Sequence, residues 1–261
     1  QLAALAARPI EDMTLDEIAK LWAGFTELAR RYGILYLDGF DASPMVRESL
    51  VLLVDGTEPA LIADALLTRA EHALLASRET RGKMVIEALM SLHSGDNPGL
   101  VHYKLHTIFA DYQTPTAGRP ERRTIEEIAL RLELRLQQRY FNMDYGEIAA
   151  LFTDMSYLAR QNGLAALRPY SEKIDYPMLR LGIELIDSDT PADQIVEALE
   201  AQLGSDLQKT RFQYRACIAG ALSVQKGDNP RETVRTVGEA ASWEWKQIMG
   251  FAEANDSAQA D

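Results

Sequence analysis

The residues "EIAKLWAGFTELARRYGILYL", from Glu17, return as "EIAALFTDMSYLARQNGLAAL", from Glu147. "PMVRESLVLLVDGT", from Pro44, returns as "PMLRLGIELIDSDT", from Pro177; "IADAL", from Ile62, as "IVEAL", from Ile195; and "EALMSLHSGDNP", from Glu87, as "AGALSVQKGDNP", from Ala219. Matches kept in one order at nearly constant spacing mark an internal duplication. Repeat units with apolar stripes bury them against one another, so two tandem, pseudo-symmetric helical units packed together are expected.

Both copies punctuate helices at the same places. Thr14 with Glu17, and Asp144 with Glu147, have the spacing of a capping box, in which the cap side chain and the third-position carboxylate satisfy two orphan amides. The helix that starts there places Ile18, Leu21, Trp22, Phe25 and Leu28 on one face in the first copy, and Ile148, Leu151, Phe152, Met155 and Leu158 in the second. Gly33 and Gly163 are placed to end it. Ser43-Pro44 reads as a cap with a first-turn proline, and Asp55-Gly56 as a turn before a helix capped by Thr57; Thr190-Pro191 plays that part in the second copy. Gly95 and Gly227 stop a long helix, and Asn97-Pro98 and Asn229-Pro230 open the next. No strand alternation runs over four or more residues, so the fold class is all-α. The first unit is expected over 1–112, a linker rich in proline, glycine and threonine over 113–124, the second unit over 125–252 and a frayed tail over 253–261.

Composition narrows the function. A chain of 261 residues, 47% hydrophobic, buries a substantial core, and its net charge of −12 has the wrong sign for a nucleic-acid or anionic-membrane partner. Cys217 is the single cysteine, which fits a reducing compartment. No basic, apolar leader opens the sequence and no apolar stretch reaches the ~20 residues a bilayer crossing needs, so a cytoplasmic protein is expected; the start at Gln1 suggests trimming.

"RRYGILYLD", "SPMVRESLVLLVDGTEPALI" and "MVIEALMSLHSGDNP" resemble the cytoplasmic loop and tail of the MotA/TolQ/ExbB family of proton-channel proteins, and within it the flagellar stator subunits of MotA type. The resemblance spans residues 17–98 and 147–230 and lacks the membrane helices that the family inserts between loop and tail. The joins, "RAEHALLASRETRGKMVIEAL" and "EAQLGSDLQKTRFQYRACIAGAL", are dotted with charges that would each cost ~3 kcal/mol near a bilayer centre. The helix before the missing hairpin is therefore expected to run straight into the helix after it, and ion conduction does not carry over. What the resemblance implies is a non-enzymatic binding role at the flagellar motor, peripheral to the inner membrane, with the rotor switch complex or the stator as protein partner. The family's charged contact positions are an arginine before the loop glycine and an acid after it. They fall on Arg30, with Arg31 beside it, and on Asp38 in the first copy; in the second, Arg160 is kept and Arg168 reverses the acid. An adaptor that reuses the scaffold outside the motor is the alternative.

Other signals have plainer explanations. Arg30, Arg31 and Asp38 also read as the solvated end of a helix, where the dipole favours arginine. His102 and His106 have the spacing of a metal-binding pair but no third ligand in sequence, so neither a metal nor a cofactor is assigned. "SWEWKQIMGF", Ser242 to Phe251, reads as packing against the core before it reads as a partner surface. "DGT" and "GDNP" lack the ligands of phosphate or calcium loops.

Overall fold

The two expected capping boxes form, whereas Ser43 occupies the expected cap position of its helix without a side-chain capping hydrogen bond. In a computed structural model describing residues 1–109 and 124–240, Thr14 accepts from the Glu17 amide at 3.2 Å while the Glu17 carboxylate takes the Thr14 amide at 2.8 Å. Asp144 and Glu147 repeat that exchange, and Thr124 with Glu127 adds a third box. The described residues are α-helical, with short 3-10 and π stretches and no strand. The α-helices are α1 (Leu2–Ala6), α2 (Leu15–Tyr32), α3 (Pro44–Val54), α4 (Pro59–Arg69), α5 (Ala76–His93), α6 (Pro98–Phe109), α7 (Ile125–Arg135), α8 (Tyr145–Asn162), α9 (Arg168–Ser171), α10 (Pro177–Asp187), α11 (Ala192–Lys226) and α12 (Pro230–Ala240). Residues 113–123 of the expected linker, Ser242 to Phe251 and the expected tail lie outside the described residues.

Two boundaries move by one residue. Glu58, not Thr57, occupies the cap position of α4, because Pro59 takes the first helical position. In the second copy α11 opens at Ala192, after Pro191.

The joins are helical, as expected. In the second copy α11 runs unbroken for 35 residues. In the first, a π-helical stretch over Ala70–Leu75 links α4 to α5. Each helical join carries the chain out of one compact unit and into the other. The compact units consequently divide the chain differently from the repeat boundaries: one comprises Gln1–Leu75 with Gln208–Asp261, the other Ala76–Leu207. Each contains the front of one copy and the back of the other.

In the first unit, α2 packs against α12. Trp22 and Phe25 of α2, Leu50 and Leu53 of α3, Ile62 of α4, and Cys217, Ile218 and Leu222 of α11 are buried. Trp22 lies against Gly220, where a Cβ would sit 2.1 Å from the indole Cγ. A buried hydroxyl chain joins three helices: Thr26 to Thr233 at 2.9 Å and Thr233 to Ser223 at 2.9 Å, with Ser223 donating to Asp228 at 2.7 Å. Gln213 donates to the Met13 carbonyl at 2.6 Å, and Arg211 holds both oxygens of Glu71 at 2.9 and 3.1 Å.

The second unit encloses one apolar cluster that includes Met84 and Leu89 of α5, Leu105 of α6, Phe152 of α8, Leu179 of α10 and Leu199 of α11. Arg81 donates to the Met143 carbonyl at 3.1 Å, the counterpart of Gln213 on Met13. Arg78 grips Asp206 at 2.7 and 3.0 Å. On α8 the fully buried Asp154 takes hydrogen bonds from Arg131, at 3.1 Å, and Arg135, which tie α7 down; buried charge persists only when paired in this way. At the matching position of the first copy stands Gly24, covered by the Leu2 side chain.

Gly220→Ala tests the close approach. An alanine gains about 1 kcal/mol in helix propensity, but its methyl requires a fully buried indole to shift; overpacking of that kind costs about 1–3 kcal/mol and should dominate. A lowered urea midpoint at unchanged slope is the expected result.

Candidate functional site

The charged positions named from sequence are largely engaged with the protein's own backbone and side chains. Gly227, with φ 73°, follows the end of α11; its amide and that of Asp228 take the Val224 and Ser223 carbonyls, and its own carbonyl lies beyond the helix. Arg30, in the last turn of α2, donates to the Gly227 carbonyl at 2.9 Å and the Asp228 carbonyl at 3.4 Å. Arg160, on α8, donates likewise to the Gly95 carbonyl at 2.7 Å beyond the end of α5. Each arginine brings a positive charge to the negative end of a helix from the other copy.

Arg31 pairs with Glu27 at 3.2 Å, one turn back on an exposed helix face. Asp38 lies in a 3-10 helix, Ile34–Gly39, that follows Gly33. Its carbonyl accepts from Arg47 at 2.8 Å and its carboxylate stands 3.7 Å from the same guanidinium. Arg168, where the acid is reversed, is matched by Asp187. Arg30, Arg31 and Asp38 thus flank one loop of the first unit, while Arg160 and Arg168 belong to the second.

Between the flanking charges lie three residues that the sequence analysis did not single out. Leu35 is 71% exposed, Tyr32 56% and Tyr36 52%. The rings of Tyr32 and Tyr36 are 4.9 Å apart; Tyr36 meets Phe40 edge-on at 6.2 Å, and Phe40 meets the buried Phe25 at 5.3 Å. The exposed rings are therefore anchored through Phe40 to the core. Arg31 sits over the Tyr32 ring at 6.0 Å. An exposed aromatic and aliphatic cluster on a rigid base, rimmed by charges of both signs, has the make-up of a protein-binding surface, because such residues contribute contact area at low entropic cost.

The second copy lacks this surface. The positions matching Tyr32, Leu35 and Tyr36 are Asn162, Ala165 and Ala166. Exposed Val51 and Leu61 are likewise matched by Glu184 and Gln194. The signal was present in the aligned loops, "RRYGILYLDGF" against "RQNGLAALRPY": apolar bulk that disappears from one copy was not needed for the shared core.

His102 and His106 stack on α6 with centroids 4.1 Å apart, and His106 contacts Phe109 at 4.8 Å. Burial lowers the pKa of both, and the two imidazoles oppose each other's protonation at His102. Among the described residues no group of three or more metal-capable side chains exists. Cys217 is fully buried, which pushes its thiol up to about 12 against the opposing effect of Trp22 and Ser49, so it is no nucleophile at neutral pH.

Two outcomes follow. Arg30→Ala removes a charge-assisted cap from an exposed helix end and should lower unfolding free energy by about 1 kcal/mol, read in urea titration. Both imidazoles should titrate below the free-histidine range of about 6.5 in an NMR pH series. Since the folded state disfavours their protonation, they contribute stability above that pH and lose it as the pH falls.

No described helix is long and apolar enough to cross a membrane. The chain matches no family model, no curated protein and no solved structure.

Proposed function

We propose that this protein is a non-enzymatic interaction module of the flagellar motor. It binds the rotor switch complex or the stator through the loop between α2 and α3, at the cytoplasmic face of the inner membrane. The observation that carries the reading is the one-sided surface of Tyr32, Leu35 and Tyr36 between Arg31 and Asp38, present in the first copy and replaced by Asn162, Ala165 and Ala166 in the second. The resemblance to MotA-type loops supplies the partner class. The first copy carries the contact and the second serves as scaffold.

On this reading the binding energy comes from the apolar centre, and the rim charges set orientation and encounter rate. Arg30 contributes by fixing the end of α2 through Gly227, and Asp38 is held by Arg47. The same occupancy favours a second reading, an adaptor outside the motor, in which an apolar partner docks on the tyrosines without reading the flanking charges.

Titration of purified rotor switch-complex protein and, separately, stator complex onto this protein at two salt concentrations tests both. The combined Tyr32→Ser, Leu35→Ser, Tyr36→Ser variant should lose binding at least about tenfold, since buried hot-spot side chains contribute more than 1 kcal/mol each, while its unfolding midpoint stays unchanged. Binding of either motor component that survives this variant would sink the proposed surface. Saturable but salt-insensitive binding of a motor component would remove the rim charges from the contact, and binding confined to partners outside the motor would move the reading to the adaptor.

A further inference from the structure

The first unit is assembled from chain on both sides of residues 110–123, and so is the second. In the first, α1 to α4 come from the front of copy one, whereas α12 and the part of α11 beyond Gln208 come from the back of copy two. In the second, α5 and α6 come from the back of copy one, and α7 to α10 from the front of copy two.

Matched positions make the joints. The front-half arginine donates to the back-half glycine carbonyl of the other copy in both units, Arg30 to Gly227 at 2.9 Å and Arg160 to Gly95 at 2.7 Å. The back-half side chains Gln213 and Arg81 donate to the front-half carbonyls of Met13 and Met143 at 2.6 and 3.1 Å. Thr26 bonds Thr233 across the first unit, and Ser156 donates to the Asp96 carbonyl, at 3.1 Å, across the second. Close apolar approaches cross the same joints: Trp22 on Gly220 in one unit, Leu89 on Gly182 in the other.

We propose that each copy carries a front-half surface whose partner is the back half of another repeat of the same kind, and that the chain is two interlocked repeats whose covalent link is dispensable. The partner is a second repeat, supplied here by the other copy. A repeat alone would leave both its halves without a mate, so the two repeats hold each other by two joints at once.

The test uses the full chain with a specific protease site, flanked by glycine-serine spacers, inserted between Thr116 and Ala117. After cutting, the two pieces should co-elute as one species at the volume of the uncut protein, with unchanged helical circular dichroism. The urea midpoint of the cut protein should rise with protein concentration, while that of the uncut protein does not, because unfolding now separates two chains. Gly220→Ala should raise the dissociation constant of the cut pieces about tenfold. Pieces that separate in native buffer would overturn the proposal. So would pieces that lose helicity on cutting, or that unfold independently with a midpoint indifferent to concentration.

Discussion

The fold depends on a helix that does not turn back. The 35 residues of α11 run unbroken, and its residues up to Leu207 belong to one compact unit while those from Gln208 belong to the other. Each front half meets the other copy's back half, α2 against α12 in one unit and α8 against α5 and α6 in the other, and the chain passes from one compact unit to the next within helices.

That exchange gives the arginines their structural work. At these helix ends a glycine of positive φ folds the chain back so that its own amide and the next take helix carbonyls, as Gly227 and Asp228 do on Val224 and Ser223, and the glycine carbonyl beyond the helix is left facing out. Arg30 and Arg160 occupy those ends across the joints. Where the MotA-type resemblance implies a partner contact, the same side chain also secures one half of a copy to half of the other. A charge change at Arg30 therefore alters stability and any binding together, which is why the exposed tyrosines and Leu35 separate the two effects better.

The copies share a core grammar and differ on their surfaces. The capping boxes, the apolar face of α2 or α8 and the terminating glycines occur in both. Exposed bulk at Tyr32, Leu35 and Tyr36 occurs in one and is replaced by Asn162, Ala165 and Ala166 in the other. Packing restrains the shared positions, since core volume and cap geometry tolerate little change, whereas exposed positions are free to diverge.

The sequence by itself determined the helices. Capping boxes, positive-φ glycines and three-to-four spacing are local properties, set within a few residues, and they placed both ends of α2 and α8 and the openings of α3, α6 and α12; the caps of α4 and α11, beside Pro59 and Pro191, moved by one residue, and α1 and α9 carried no signal that was read. The sequence also located the loop that holds the candidate surface. Tertiary structure decided which halves pair, because periodicity states that a face is apolar and not which face meets it. It also decided what the charges do: Arg30 and Asp38 read identically as free or engaged until Gly227 and Arg47 are brought beside them from elsewhere in the fold. The exposure of Tyr32, Leu35 and Tyr36 belongs to the same category, since burial is a property of neighbours that the local chain does not contain.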